Sequence, residues 1–371
     1  MQDLSGLLVV SLEQAVAAPY ASCKLADAGA RVIKIERPEG DFARNYDSLV
    51  HGESAYFVWL NRGKESICLD LRNGGDLTLL NTIIATADVF IQNLAPGAAG
   101  RLGLGAGELT TRHPRLIYCS ISGYGEDGPY REQKAYDMLI QGESGLIAIN
   151  GSPEEAARVG ISICDITAGM TAYSAILQAL LARQKTGQGR VIDVSLFHAI
   201  ADWMNVPYLQ TRYGNKPPGR VGVRHPTIAP YGAFACADGK QVLLSIQNER
   251  EWCALCERVL RQPALTHDIR FATNVARVEN RAALEEIISA ALGRLAREEA
   301  VALLSKAGIA CGRLSDMQDL VAHPQRRLTR VETPSGPVEM LAPGASFGES
   351  EHYGAVPALG EHTAKIRAEF S

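Results

Sequence analysis

Over roughly its first two hundred residues the chain alternates two hydrophobic patterns. Short apolar runs of strand length are followed by stretches whose apolar positions recur at three- and four-residue spacing. Gly6 to Leu12 (GLLVVSL) is the first run, and Pro19 to Ala28 (PYASCKLADA) is the first helical stretch, ended by Gly29. Arg31 to Glu36 (RVIKIE) is the second run. Strand, helix and strand in about thirty residues predict a βαβ unit, and hence a parallel sheet. The pattern repeats. Ser66 to Leu71 (SICLDL) reads as a strand, Leu77 to Thr86 as a helix, and Val89-Phe90-Ile91 as a buried strand ending at Gln92-Asn93. Gly97 to Leu104 reads as a turn and Leu116 to Ile121 (LIYCSI) as a strand. A polar loop covers Gly151 to Arg158, and Val191 to Leu196 (VIDVSL) is a further strand.

The composition shifts from Gln210 to Pro230, where Gly, Pro and Arg dominate, as in a linker or a functional loop. Beyond it, Ala233 to Ala237 and Gln241 to Ile246 predict a hairpin joined by Asp238-Gly239. Helical periodicity follows at Glu249 to Leu260, Arg281 to Leu292 and Arg297 to Ala307, which together predict a second, smaller domain. Val331 to Leu341 is strand-like and Gly360 to Glu369 a short helix. A chain of 371 residues is long for one core, so two domains are expected on length alone. The predicted class is α/β, with a Rossmann-like large domain built on a parallel sheet.

One acid stands out. In Gly160-Ile161-Ser162-Ile163-Cys164-Asp165-Ile166-Thr167-Ala168-Gly169-Met170, Asp165 separates an apolar run from small residues. From Thr167 the pattern is helical to about Gln184, with Met170, Tyr173, Ile176, Leu177, Leu180 and Leu181 on one face, and a Lys185 to Gly189 turn closes it. Two readings stay open at this point. Asp165 is an N-cap accepting free amides, or it is a carboxylate nucleophile kept ionised at the positive end of a helix.

Composition removes several function classes. Net charge is −4, and no basic stripe with interleaved aromatics marks a nucleic-acid surface. The first strand–helix turn reads Glu13-Gln14-Ala15-Val16-Ala17-Ala18-Pro19, without the glycines that let a pyrophosphate reach the backbone. Glu36 does follow the second strand, where a dinucleotide fold carries its ribose-binding acid. Of eight cysteines only Cys253 and Cys256 have CxxC spacing, on an amphipathic helix with no second ligand pair, so no metal is expected. No apolar run is read as reaching membrane length, and the N-terminus has no positive n-region. A reduced, cytoplasmic setting is the expectation.

Several stretches in order resemble one family. They are APYASCKLADAGARVIKIERPEGD, NRGKESICLDLRN, ADVFIQNLAPGAAGRLGLG, SISGYGEDGPY, KAYDMLIQGESGL, DITAGMTAYSAILQALLARQKTGQGRVIDVSL, KAGIACGRLSDMQDL and PALGEHT. Spread from Leu7 to Thr363, they resemble the class III coenzyme A transferases, a family that also holds the α-methylacyl-CoA racemases. The resemblance implies transfer of CoA between an acyl-CoA and a carboxylic acid, with Asp165 forming first a mixed anhydride and then an aspartyl-CoA thioester. CoA is then a substrate, with no tightly bound cofactor.

The resemblance also carries site residues. Val16 and Ala17 lie on the first turn, with Val16 where transferases can have glutamine and Gln14 nearby as an alternative contact. Arg37, Leu69, Arg72, Asn93, Leu94 and Ala95 are implied around the nucleotide, and Arg101 and Lys134 against phosphate charge. Gly222 aligns with a glycine-rich loop that covers the intermediate in some members, and Arg224 and His225 are implied to orient a substrate carboxylate. In Lys134-Ala135-Tyr136-Asp137, Tyr136 stands where racemases carry a histidine; a phenol is a poor general base at neutral pH, which favours transfer over racemisation. The Arg220 to Phe234 region looks more like that of members acting on small dicarboxylates such as succinate, itaconate, mesaconate or citramalate than like that of the oxalate members. The implied architecture is an interlocked homodimer. Its large domain spans 1–205 and is completed by 328–371, with a linker at 206–225 and a small α+β domain at 226–327.

Overall fold

The computed structural model describes residues 3–347 and 353–371. They divide into two compact units, residues 3–146, 158–209, 327–347 and 353–371 in the first and residues 147–157 and 210–326 in the second. Segment 147–157 is thus split from the chain on either side of it. Gly151 O accepts from the Gly222 amide (2.9 Å), and Ser152 O accepts from Arg220 Nε (3.0 Å).

The first unit is built on a six-stranded, wholly parallel sheet. Its strands are β1 (Leu8–Leu12), β2 (Arg31–Glu36), β3 (Lys64–Cys68), β4 (Val89–Gln92), β5 (Ile117–Ser122) and β6 (Val191–Ser195). Their spatial order is β3-β2-β1-β4-β5-β6. This is the order of dinucleotide-binding sheets, reached without their glycine fingerprint. Alternate residues of each strand serve opposite faces. Val9, Val32, Ile91 and Cys119 join one apolar cluster, while Val10, Ile33, Phe90 and Tyr118 join another.

Five helices matter for the site: α1 (Ala17–Asp27), α2 (Ala55–Asn61), α3 (Gly74–Ala85), α4 (Asp137–Glu143) and α5 (Ile163–Thr186). Helix α3 covers one face with Leu79, Leu80, Ile83 and Ile84. Helices α1 and α5 cover the other, where Ala17, Ala18, Ala21 and Leu25 pack with Cys164, Ala168, Ala172 and Ile176. The approach is close because the contact residues are small. A Cβ on Gly169 would stand 2.6 Å from Ala17 O and 3.0 Å from Tyr20 Cβ. Helix α5 is long and apolar enough, by length and composition, to cross a bilayer, contrary to the sequence reading; here its buried face is part of this core. Edge strand β3 is covered by the C-terminal segment, whose His362 and Thr363 side chains accept the Ser66 and Cys68 amides.

The second unit has a three-stranded antiparallel sheet, β7 (Tyr231–Ala235), β8 (Gln241–Ser245) and β9 (Ala310–Arg313). The hairpin matches the sequence reading, and β9 was not foreseen. The helix predicted over Glu249 to Leu260 is two pieces, an α-helix to Ala254 and a π-helical turn at Leu255–Val259. Cys256 is buried in this unit's core, and all eight cysteines are free.

Candidate active site

In a parallel sheet, ligands gather at the carboxyl ends of the strands, where the order reverses. Here that point lies between β1 and β4, and the Gln14–Ala17 turn crosses it. The turn is pinned from two sides. Asn93 accepts from the Gln14 amide (3.0 Å) and donates to Gln14 O (2.8 Å). Asp41 accepts from the amide of Ala15 (3.1 Å), which holds a left-handed φ of 64°. The turn delivers the chain to the start of α1. That start has Val16 at the N-cap position and no side-chain cap, leaving first-turn amides without an intrahelical acceptor.

Asp41 belongs to a buried network of charges. Lys34 Nζ lies 2.8 Å from Asp41 and 3.4 Å from Glu13, and Lys64 Nζ lies 2.7 Å from Glu13. Ser11 and Ser22 hydroxyls donate to the other Glu13 oxygen at 2.5 and 2.6 Å. Burial pushes Glu13 up, but the Lys64 and Lys34 charges outweigh it and bring the carboxyl down to about 2. Glu36, at the end of β2, has its carboxylate engaged within the protein: it pairs with Arg44 and accepts from Ser66 Oγ.

Next to the turn, Asp165 sits at the third helical position of α5, four residues before Gly169 and therefore on the face that meets α1. The N-cap reading fails, because position 162 is the cap and the Asp165 carboxylate accepts no hydrogen bond among the described residues. Helix polarity does not hold Asp165 at an ordinary carboxylate pKa, and about half of it is ionised at neutral pH. Burial, and after it the charge of Asp137, push its pKa up to about 7. Aromatic hydroxyls complete the surroundings. Tyr46 is pushed up to about 12 by burial and by Asp41, Asp165, Tyr56 and Tyr136. Tyr46 and Tyr56 rings meet edge-on at 5.5 Å. Neither tyrosine was singled out in the sequence. The available signal was aromatic density, since Phe42, Tyr46, Tyr56, Phe57 and Trp59 fall within one short segment.

Beyond the turn a cavity of about 450 Å³ opens at the ends of β1, β2 and β3. Four of the expected nucleotide-side residues, Arg37, Leu69, Arg72 and Leu94, line it together. Arg72 is paired with Asp70 (2.9 Å) and Arg37 Nε donates to Gly40 O (2.9 Å), so a phosphate would have to displace or share these partners. Leu94 and Ala95 also line a neighbouring cavity of about 380 Å³ at the ends of β4, β5 and β6. The remaining expectations fare differently. Val16 and Ala17 are buried, so they can offer a ligand their backbone and not their side chains. Asn93 is committed to the turn. Arg101 and Lys134 are exposed and line neither cavity. Tyr136 is two-thirds exposed, at the N-cap position of α4.

Gly222, Arg224 and His225 belong to the second unit. Gly222 has a left-handed φ of 63°, Arg224 Nε lies 2.9 Å from Glu285, and the His225 ring stacks on Tyr231. Arg224 is therefore occupied by an internal carboxylate.

The sequence profile of CoA-transferase family III matches residues 4–363. An acetyl-CoA:oxalate CoA-transferase of Acetobacter aceti is 36% identical, over 99% of this chain and 95% of its own length. A succinyl-CoA:glutarate CoA-transferase of Mus musculus is 32% identical, over 100% of this chain and 86% of its own. Among solved structures, a CaiB/BaiF family protein from Brucella suis superposes with a TM-score of 0.88 at 35% identity, covering all of both chains. With a parallel sheet, an uncapped helix start beside Asp165 and a profile match over nearly its whole length, the chain belongs to CoA-transferase family III.

Proposed function

We propose that the protein moves CoA from an acyl-CoA to a free carboxylic acid through Asp165. One Asp165 oxygen attacks the thioester carbonyl carbon, the C–S bond breaks, and a mixed anhydride forms as CoA thiolate leaves. The thiolate then attacks Cγ of Asp165, releasing the donor acid and leaving an aspartyl-CoA thioester. The acceptor carboxylate attacks that carbon and expels the thiolate again. Attack of the thiolate on the acceptor's acyl carbon restores the Asp165 carboxylate and releases the new acyl-CoA.

The observation that carries this reading is the state of Asp165, a part-buried carboxylate with neither a cation nor a hydrogen-bond donor on it among the described residues. A structural acid in such a place would have a partner. The free first-turn amides of α1 stand on the side from which a tetrahedral oxyanion can be met. The cavity lined by Arg37, Leu69, Arg72 and Leu94 is the place for the nucleotide end of CoA. Racemisation has less support, since no histidine acts on Asp165 among the described residues.

The acids are small dicarboxylates. Succinyl-CoA is the preferred donor, with itaconate, mesaconate or citramalate as acceptors, and oxalate and glutarate belong in the same screen because the relatives above act on them. The protein works as a homodimer in a reducing, cytoplasmic compartment; exposed Trp203, Val206 and Tyr208 and the eight free cysteines support this. Sedimentation tests the first part.

Mass spectrometry after incubation with succinyl-CoA and hydroxylamine or borohydride tests the mechanism. Modification is expected on Asp165 alone. An unmodified Asp165 in a protein that still turns over would overturn the covalent route.

A further inference from the structure

The start of α5 is held from outside its own helix. Ser162 occupies the cap position, but its hydroxyl bonds Tyr56 Oη (3.2 Å) and caps nothing. The second helical amide, of Cys164, donates instead to Asp137 Oδ1 (2.8 Å), from 27 positions upstream. Asp137 Oδ2 accepts from Gln141 Nε2 (2.7 Å), one turn along α4. Gln141 is fully buried, its Oε1 accepts from the Val159 amide (2.8 Å), and its Nε2 also reaches Val159 O (3.3 Å). Asp137 and Gln141 thus hold residues 159–164, the segment from which Asp165 projects.

Capping alone does not need an acid. Asn or Ser accepts a helix amide about as well as Asp. What Asp137 adds is a negative charge close to Asp165. The other groups around Asp165 do not offset it. They are Tyr46, after a short 3₁₀ turn and itself beside Asp41, Tyr56 and Tyr136, and Cys164 on α5 itself. Among the described residues no lysine, arginine or histidine acts on Asp165.

We propose that Asp137 is a positioning residue of the transferase reaction with an electrostatic part. It sets Asp165 in place through the Cys164 amide, and its charge raises the energy of the resting Asp165 anion relative to the neutral anhydride and thioester that Asp165 forms. The inference rests on Asp165 being the nucleophile. The opposition exists only while Asp165 is an anion and disappears on acylation. It is therefore an unfavourable ground-state interaction that the covalent steps relieve, and it favours attack. Asp137 exchanges no proton in this scheme, because each of its oxygens faces an N–H donor.

The test compares the full-length protein with Asp137→Asn and Asp137→Ser, both uncharged cap residues. The first readout is labelling of Asp165 by a water-soluble carbodiimide and glycine amide, followed by mass spectrometry across pH. This reaction needs the protonated carboxyl and no turnover. In the parent chain the half-point is expected near pH 7, and in both variants about one pH unit lower, because burial, the larger cause of the rise, remains. The second readout is turnover of succinyl-CoA with glutarate, where kcat is expected to fall at least about tenfold with KM little changed. A purely structural cap would lower Tm and leave the half-point in place; an unmoved half-point in both variants overturns the proposal. Full turnover by Asp165→Asn overturns the nucleophile reading itself, whatever the labelling shows.

Discussion

Glu13 and Asp165 are carboxylates at the same edge of one sheet, and their surroundings drive them in opposite directions. Glu13 ends in two lysines and two hydroxyls, every group out of water, and sits at about 2. Asp165 has no donor among the described residues and one like charge nearby, and sits at about 7. Burial raises both acids, so burial is not what separates a structural acid from a reactive one. Partners separate them. The Glu13 network is electrically complete and holds the Gln14–Ala17 turn through Lys34 and Asp41. Asp165 is incomplete, and a bound electrophile would complete it.

The largest effect expected from this contrast is on turnover. Asp165→Asn removes the nucleophile while keeping the side chain's shape, so kcat should drop by roughly 10³-fold or more. The same change should leave the fold intact, and circular dichroism beside a succinyl-CoA exchange assay reads both.

Stability should move the other way. Asp165 rises from 3.8 to about 7 in the folded chain, so between those pH values the folded state holds a proton that the unfolded state has lost. Stability from this group therefore falls as pH rises from about 4 to about 7, by up to about 4 kcal/mol. Asp165→Asn is free of that penalty. In urea titrations it should be more stable than the parent at pH 8, with the gain shrinking toward pH 4. Equal stability at both pH values would mean that Asp165 has a partner in solution.

Glu13 has the opposite sign. Its folded pKa lies below the ordinary glutamate value of 4.5, so its contribution is complete above about 4.5 and is lost as pH falls toward 2, by about 3 kcal/mol. Lys64→Met should cost a similar amount at neutral pH, about 3 kcal/mol, because it strands a buried charge that Lys34 alone reaches at 3.4 Å. Burial and the Lys34 charge already hold the Lys64 pKa below its usual value, although Glu13 pulls it up. Adding Glu13→Gln to Lys64→Met should return part of the loss, and a double-mutant cycle in urea measures it.

The contrast was only half legible in the sequence. The strands were legible because buried parallel strands are apolar on both faces, and RVIKIE and LIYCSI lie within a residue or so of β2 and β5. Strand order was not, since it depends on where crossovers land. Lys34 and Lys64 look like solvent residues in their own strands, and nothing local shows that Glu13, 21 and 51 positions away, takes both. Asp165 was legible as an acid at a helix start, but which role it plays depends on Asp137, which caps α5 from 27 positions upstream. Strand β9, Ala-Cys-Gly-Arg, has no β-branched or aromatic residue to announce it. The π-helical turn at Leu255–Val259 shifts the helical hydrogen bonding by one residue without leaving a trace in the apolar period.

The smallest effect asks whether charge or hydrogen bonding makes the Glu13 network complete. The Ser22 hydroxyl has one proton, placed on Glu13 at 2.6 Å, with Pro19 O a longer alternative at 3.2 Å. Ser22→Ala removes that donor, but Glu13 keeps the Ser11 hydroxyl on the same oxygen and Lys64 on the other. No charge is stranded, and the vacated space is a single buried oxygen. The expected loss is therefore about 1 kcal/mol, one hydrogen bond's net worth, with no change in kcat. The acid limb of stability should stay close to that of the parent, since both lysines still hold Glu13 down. A loss as large as that of Lys64→Met would mean that the hydroxyls, and not the lysines, make Glu13 complete. The distinction from Asp165 would then rest on the number of donors, and adding a single donor beside Asp165 would be enough to turn a reactive carboxylate into a structural one.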